Sequence, residues 1–118
     1  MLKYYNDVKN KNGTKNKYIV YKEVYNICIS AINIMRPLNC MEIYSTYKAK
    51  RVLNFCAGWG GSTMAAALLQ LDAFYGVEIN VDLKPAYDNM VSWLKEKTPA
   101  QIVVKFADAA SFDYSAWT

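Results

Sequence analysis

The sequence predicts an α/β fold, a short parallel sheet of about three strands with flanking helices, preceded by N-terminal helices and a basic arm. Two observations predict it. From residue 51 onward, apolar runs of strand length alternate with segments of helical period, giving the strand, helix, strand, helix, strand order of a right-handed parallel unit. The first of these runs, Val52-Leu53-Asn54-Phe55-Cys56, feeds the glycine-rich turn Ala57-Gly58-Trp59-Gly60-Gly61-Ser62. Such a turn bends sharply, and its backbone can approach a ligand that a Cβ would push away.

Along the chain, residues 1–17 are dominated by Lys, Asn and Tyr around the Asn12-Gly13-Thr14 turn signal and read as an arm or extended lead-in. Residues 18–118 read as one domain without internal repeats. From 18 to 35, Ile19, Tyr21, Val24, Tyr25, Ile27, Cys28, Ala31, Ile32 and Met35 recur at threes and fours, which predicts an amphipathic helix with Tyr21 and Tyr25 packed in the core. Its β-branched residues leave a strand as the alternative for the first half. Arg36-Pro37-Leu38-Asn39 breaks that helix, and 40–47 forms a short one. Strands are expected at 51–56, 73–77 and 101–106, and helices at 62–71 and 84–97. In the last helix Pro85 suits the first turn, and Tyr87, Met90, Val91 and Leu94 mark the buried face.

At 118 residues and 53% hydrophobic, the chain suffices for one domain with a real core. No run approaches the roughly 18 apolar residues of a spanning helix, and the first residues lack an apolar signal core, so a soluble intracellular protein is expected. Cys28, Cys40 and Cys56 are odd in number and show no C-x-x-C spacing, and histidine is absent. Neither a disulfide framework nor a zinc site is indicated, and the thiols are expected reduced and buried, Cys56 as a small core residue. Without histidine the commonest general base and every Ser-His or Cys-His pair are missing, which disfavours hydrolase chemistry.

The net charge of +4 is uneven, since residues 1–22 carry six lysines against one aspartate. Such an arm can contact nucleic-acid phosphates or stay a solvated tail, and tyrosines 4, 5, 18, 21 and 25 among the lysines could stack on bases.

Gly58 precedes Glu78 by 20 residues, which puts a carboxylate at the tip of the strand next to the glycine turn. There it can accept from two ribose hydroxyls. With Asn54-Phe55-Cys56-Ala57-Gly58-Trp59-Gly60-Gly61 and Tyr75-Gly76-Val77-Glu78-Ile79-Asn80 in place, residues 51–113 resemble the cofactor-binding, Rossmann-like half of class I S-adenosylmethionine-dependent methyltransferases. The closest likeness is to nucleic-acid amino-methyltransferases whose first motif reads Asp-Pro-Cys-Ala-Gly-Trp-Gly-Gly. The resemblance implies that Ala57, Gly58 and Gly60 lie against the methionine part of S-adenosyl-L-methionine, that Glu78 holds the ribose and that Ile79 packs on the adenine. It implies that Asp108 accepts from the adenine amino group, with Asp113 as a competitor. From its place inside the glycine turn, Trp59 could stack on the cofactor, wall its pocket or pack on a neighbouring loop.

Two departures stand out. The family's first-motif acid is Asn54, which keeps an acceptor but removes the charge usually offered near the cofactor's ammonium group. The family's catalytic motif, with its Pro-Pro-aromatic core after a fourth strand, does not occur in these 118 residues. No catalytic residue is therefore assigned, and the chain is expected to be truncated before that motif. Two functions follow as expectations. The first is the S-adenosylmethionine-binding part of a DNA, or secondarily RNA, amino-methyltransferase-like protein. The second is a catalytically dead remnant serving as a structural or assembly component, with another chain or a second copy covering the open sheet edge. The Lys, Asn, Tyr and Ile bias suits an AT-rich genome such as a phage or large virus. A dinucleotide-dependent oxidoreductase would use the same turn logic but lacks the regular G-x-G-x-x-G.

Overall fold

The computed structural model describes residues 6–7, 10, 16–29 and 34–117. The chain forms two compact units, Met1–Asn33 and Ile34–Thr118. In the first, Asn6, Asp7 and Asn10 are helical and exposed, and helix α1 spans Lys17–Ile29. The Asn16 side chain starts α1 by accepting the Tyr18 N–H at 2.9 Å. Val20 and Val24, one turn apart, are its buried stripe. Tyr21 and Tyr25, expected in the core, are more than half exposed, as is Ile27. The 3–4 spacing fits either stripe, but burying Val carries no polar group out of water, whereas each buried tyrosine would need a partner for its hydroxyl. The expected helix also ends early. Residues 34–36, Met35 among them, are irregular, and Ala31 and Ile32 lie outside the described residues.

The second unit begins with helix α2, Pro37–Thr46. Pro37, read from the sequence as part of a break, instead occupies the start of α2, where a missing N–H leaves no hydrogen bond unmade. Then follow β1 (Arg51–Asn54), α3 (Gly61–Leu68), β2 (Ala73–Glu78), a short 3₁₀ turn (Val81–Leu83), α4 (Lys84–Lys95), β3 (Gln101–Phe106) and a terminal 3₁₀ turn (Ser115–Trp117). β1 stops two residues before the predicted end because the Asn54 carboxamide accepts the Cys56 N–H at 2.9 Å and turns the chain out of the ladder. α3 likewise stops at Leu68, and Gln70 turns into a left-handed conformation at φ 52°.

The sheet is parallel, in the order β1-β2-β3, so the architecture is α/β with a partial Rossmann-like sheet. Val52, Phe74 and Ile102 share one register row, and Leu53, Tyr75 and Val103 the next. The first row faces the helices: Phe74 and Ile102 are buried with Ala66 and Ala67 of α3, Leu71, Leu94 of α4 and Ala100, and Val52 and Tyr44 pack against them. Full burial of Phe74 alone contributes about 1.5–3 kcal/mol. α3 and α4 both pack on this face, as expected of two successive right-handed crossovers. The opposite face carries Tyr75, on which Trp117 stacks with ring centroids 5.1 Å apart. Arg51 reaches the same place, donating to the Trp117 carbonyl at 3.3 Å.

Among the described residues no helix is long and apolar enough to cross a membrane. Cys40 is buried, and burial raises its thiol pKa. Cys28 and Cys56, expected inside, are exposed. Cys56 follows the Asn54 turn and so leaves the alternating in-and-out pattern that would have buried it.

Candidate functional site

Parallel strands deliver their carboxyl ends to one edge of the sheet, and three loops meet there. The loop after β1 is the glycine turn. It rejoins β2 through the Ala57 N–H, which donates to the Val77 carbonyl at 2.9 Å. The loop after β3 is tied in the same way by the Ala107 N–H to the Glu78 carbonyl at 3.0 Å. Glu78 therefore sits at the tip of the central strand, between the two other loops.

Its carboxylate is buried and bonded to backbone. One oxygen accepts the Gly58 N–H at 2.6 Å and the other the Asn80 N–H at 2.9 Å. A carboxylate has about four acceptor sites, so each oxygen keeps capacity for a ligand donor. Gly58 has φ 64° and Gly60 φ 100°, both in the left-handed region that glycine adopts without strain. The two differ in surroundings. A Cβ at Gly58 would face open space, with only the Cys56 carbonyl 3.9 Å away, whereas one at Gly60 would press on Met90 at 3.2 Å. The open side of the turn is thus at Gly58.

Tyr87 of α4 closes the other side. Its hydroxyl lies 3.1 Å from the Ala57 carbonyl and 2.8 Å from the Gly58 carbonyl, and its ring meets Phe106 edge-on at 5.7 Å. Burial raises the phenol pKa, the Thr63 hydroxyl beside it pulls it back, and the Glu78 charge raises it again. Thr63 is fully buried, yet its own hydroxyl completes no hydrogen bond of good geometry. Sequence reasoning assigned Tyr87 only to packing. A tyrosine rather than a phenylalanine on that buried helix face was the available signal, since a buried phenol needs a partner.

The remaining sequence-predicted residues divide. Asn54 is half-buried beneath the turn, where its Nδ2 donates to Ser62 Oγ at 2.9 Å. Ala57 is buried under Tyr87. Trp59 and Ile79 are exposed, at 57% and 71%, on the turn and on the loop after β2. Asp108 is exposed after β3, with one oxygen accepting the Ala110 N–H at 3.0 Å. Asp113 lies two residues before the terminal 3₁₀ turn: it accepts the Ser115 N–H at 2.9 Å, and hydrogen bonds from Ser115 hold its carboxyl below the usual range.

Beside the turn, Trp59, Leu83, Ala86, Tyr87 and Met90 line an apolar cleft of about 120 Å³. A larger groove, about 310 Å³, lies away from the strand tips between α4 and β3, along Asp88, Ser92, Lys95 and Val103. α3 starts at the turn, with its first internal bond from Met64 N–H to the Gly60 carbonyl, so the N–H groups of Gly61, Ser62 and Thr63 form its positive end. Among the described residues no cluster of three or more His, Cys, Asp or Glu side chains could hold a metal ion. No family model, curated protein or solved structure matches this chain.

Proposed function

We propose that residues 51–113 bind a nucleoside cofactor of the S-adenosyl-L-methionine type, as the cofactor half of a DNA, in preference to RNA, amino-methyltransferase-like protein. The observation that carries this reading is the bond between Glu78 at the tip of the central strand and the Gly58 N–H of a glycine turn open to solvent. The residues fit the nucleoside part of such a group. Glu78 would accept the ribose hydroxyls on its remaining lone pairs. Ile79 and Trp59 would cover the apolar surface of the ligand, and Asp108 has a second oxygen for the base amine. The apolar cleft of about 120 Å³ is below the roughly 300 Å³ of ordinary ligand pockets, so a nucleoside would lie partly on the open strand tips.

When bound, the cofactor supplies an electrophilic methyl group on a sulfonium. This chain's own residues bind and orient it. Nothing in these 118 residues matches the Pro-Pro-aromatic motif that would grip a target amine, so we assign no catalytic residue and expect no methyl transfer by the chain alone. Isothermal titration of the folded chain with S-adenosylhomocysteine tests the reading. Saturable binding supports it, and no heat at millimolar ligand overturns it.

One observation favours a second role, as a structural or assembly component. Among the described residues β1 is an edge strand, and Leu53 and Phe55 on and just beyond it are more than half exposed. An edge strand with exposed apolar residues offers a template on which another chain can pair. Light scattering over a concentration series distinguishes the two: a monomer at every concentration removes the self-assembly role. Nucleic-acid contact through the N-terminal lysines rests on the sequence alone. Of those six, Lys17 and Lys22 are described, both exposed, and Lys3, Lys9, Lys11 and Lys15 lie outside the described residues.

A further inference from the structure

Along β3 the backbone bonds alternate. The Gln101 N–H donates to the Asp72 carbonyl at 3.1 Å and the Ala107 N–H to the Glu78 carbonyl at 3.0 Å, so the odd-numbered residues of β3 face β2. Ile102, Val104 and Phe106 therefore turn their N–H and C=O groups to the outer edge, where no other strand lies among the described residues. The groove of about 310 Å³ runs beside that edge, with Val91 and Val104 among its apolar walls and the exposed Asp88, Ser92 and Lys95 on its α4 side. Strand and helix have a common level, because Tyr87 of α4 rests edge-on against Phe106 at 5.7 Å. α4 carries the chain back between two parallel strands, so it runs opposite to β3. From Phe106 to Val104 the strand covers about 6.6 Å, the rise of roughly four helix residues. Val104 is thus level with the step from Val91 to Ser92, and Asp88 and Lys95 lie nearly equally far to either side of it.

We propose that this edge is the interface of a symmetric homodimer, in which β3 pairs antiparallel with β3 of a second copy about a two-fold axis at Val104. The axis sets Val104 against its own counterpart and Ile102 against Phe106, so every outward N–H of either copy meets a carbonyl of the other. Charge complementarity makes a second copy the occupant. The same axis brings Asp88 level with Lys95 of the second copy, and Lys95 level with its Asp88. An antiparallel pairing two residues out of register would move these charges apart by about 6.6 Å along the helix. Asp88 holds Lys84 at 2.6 Å through Oδ2, which leaves Oδ1 for the second copy. The dimer forms one continuous sheet with all its helices on one face, and the two α4 flanks close the groove. The strand tips of the two copies point to opposite ends of that sheet. The inference therefore does not depend on the cofactor reading, and it puts self-association on the edge away from β1.

Sedimentation of the full chain over a concentration series tests it, and a monomer–dimer equilibrium is expected. Val104→Pro removes an outward N–H, leaves the ladder between β2 and β3 intact and is expected to give a monomer. Circular dichroism checks that this variant folds; if it does not, the helix charges decide. Asp88→Lys and Lys95→Asp each turn two exposed attractions into repulsions, and each is expected to weaken dimerisation about tenfold. Combined in one chain they pair again across the axis, and dimerisation should return to within about threefold of the unaltered protein. Leu53→Lys, on β1, is expected to leave the equilibrium unchanged. A dimer lost in Leu53→Lys and kept in Val104→Pro overturns the inference and moves self-association to β1. A double charge variant no stronger than the single ones also overturns it. A monomer at every concentration overturns both this interface and the self-assembly role, and leaves the cofactor reading standing.

Discussion

Gly58 joins two kinds of control over the turn, because its N–H is held by β2 through Glu78 and its carbonyl by α4 through Tyr87. Its positive φ, with open space where a Cβ would stand, separates strain from crowding. Gly58→Ala is expected to lower stability by about 1–2 kcal/mol, the cost of a left-handed alanine, as read by urea unfolding. A much larger loss would mean that a neighbour had been struck. A second residue-scale effect appears at alkaline pH. Tyr44, packed between the core and α3, has its phenol pKa pushed up to about 12 by burial, with Cys40 adding to the rise and the bond to Ser62 opposing it. The folded state therefore keeps a proton that the unfolded state loses near pH 10, so Tyr44 contributes stability below pH 10 that is lost as pH rises from about 10 to 12. Phenolate absorbance should show Tyr44 ionising above the ordinary phenol range, and Tyr44→Phe should flatten the stability loss over that window.

The elements were legible in the sequence to the extent that burial follows apolar pattern. β3 is legible at its full span because the β-branched run Ile102-Val103-Val104, set between Pro99 and Ala107, has no competing period. β1 was read too long because its end is set by a side chain, Asn54, bonding to the backbone two residues on. In α1 the apolar spacing places Tyr21 and Tyr25 in the core because periodicity does not weigh a phenol against a valine. The terminal 3₁₀ turn had no sequence signal. Its place depends on Trp117 lying against its near neighbours Phe112 and Tyr114 and, across the sheet face, against Tyr75. Trp117→Ala should cost about 0.5–1.5 kcal/mol for the lost ring pairs beyond simple area burial, measured by thermal or urea unfolding. No loss would show that the turn does not stay on the sheet.

For the Ile34–Thr118 unit as a whole, the parallel order β1-β2-β3 explains why a turn, a strand tip and a loop far apart in sequence form one surface. The sequence indicates Gly58 and Glu78 by spacing, and Asp108 only through the family resemblance. It could not show that Glu78 bonds the turn itself, or that Asp113 is occupied by Ser115, because both are decided by side-chain direction after folding. The central claim is a location as well as a ligand, and amide chemical-shift mapping during titration with S-adenosylhomocysteine tests both together. Saturable shifts are expected at Gly58, Trp59, Ile79, Asn80 and Asp108. Shifts confined to the groove between α4 and β3, along Ser92, Lys95 and Val103, or none at all at millimolar ligand, would contradict it.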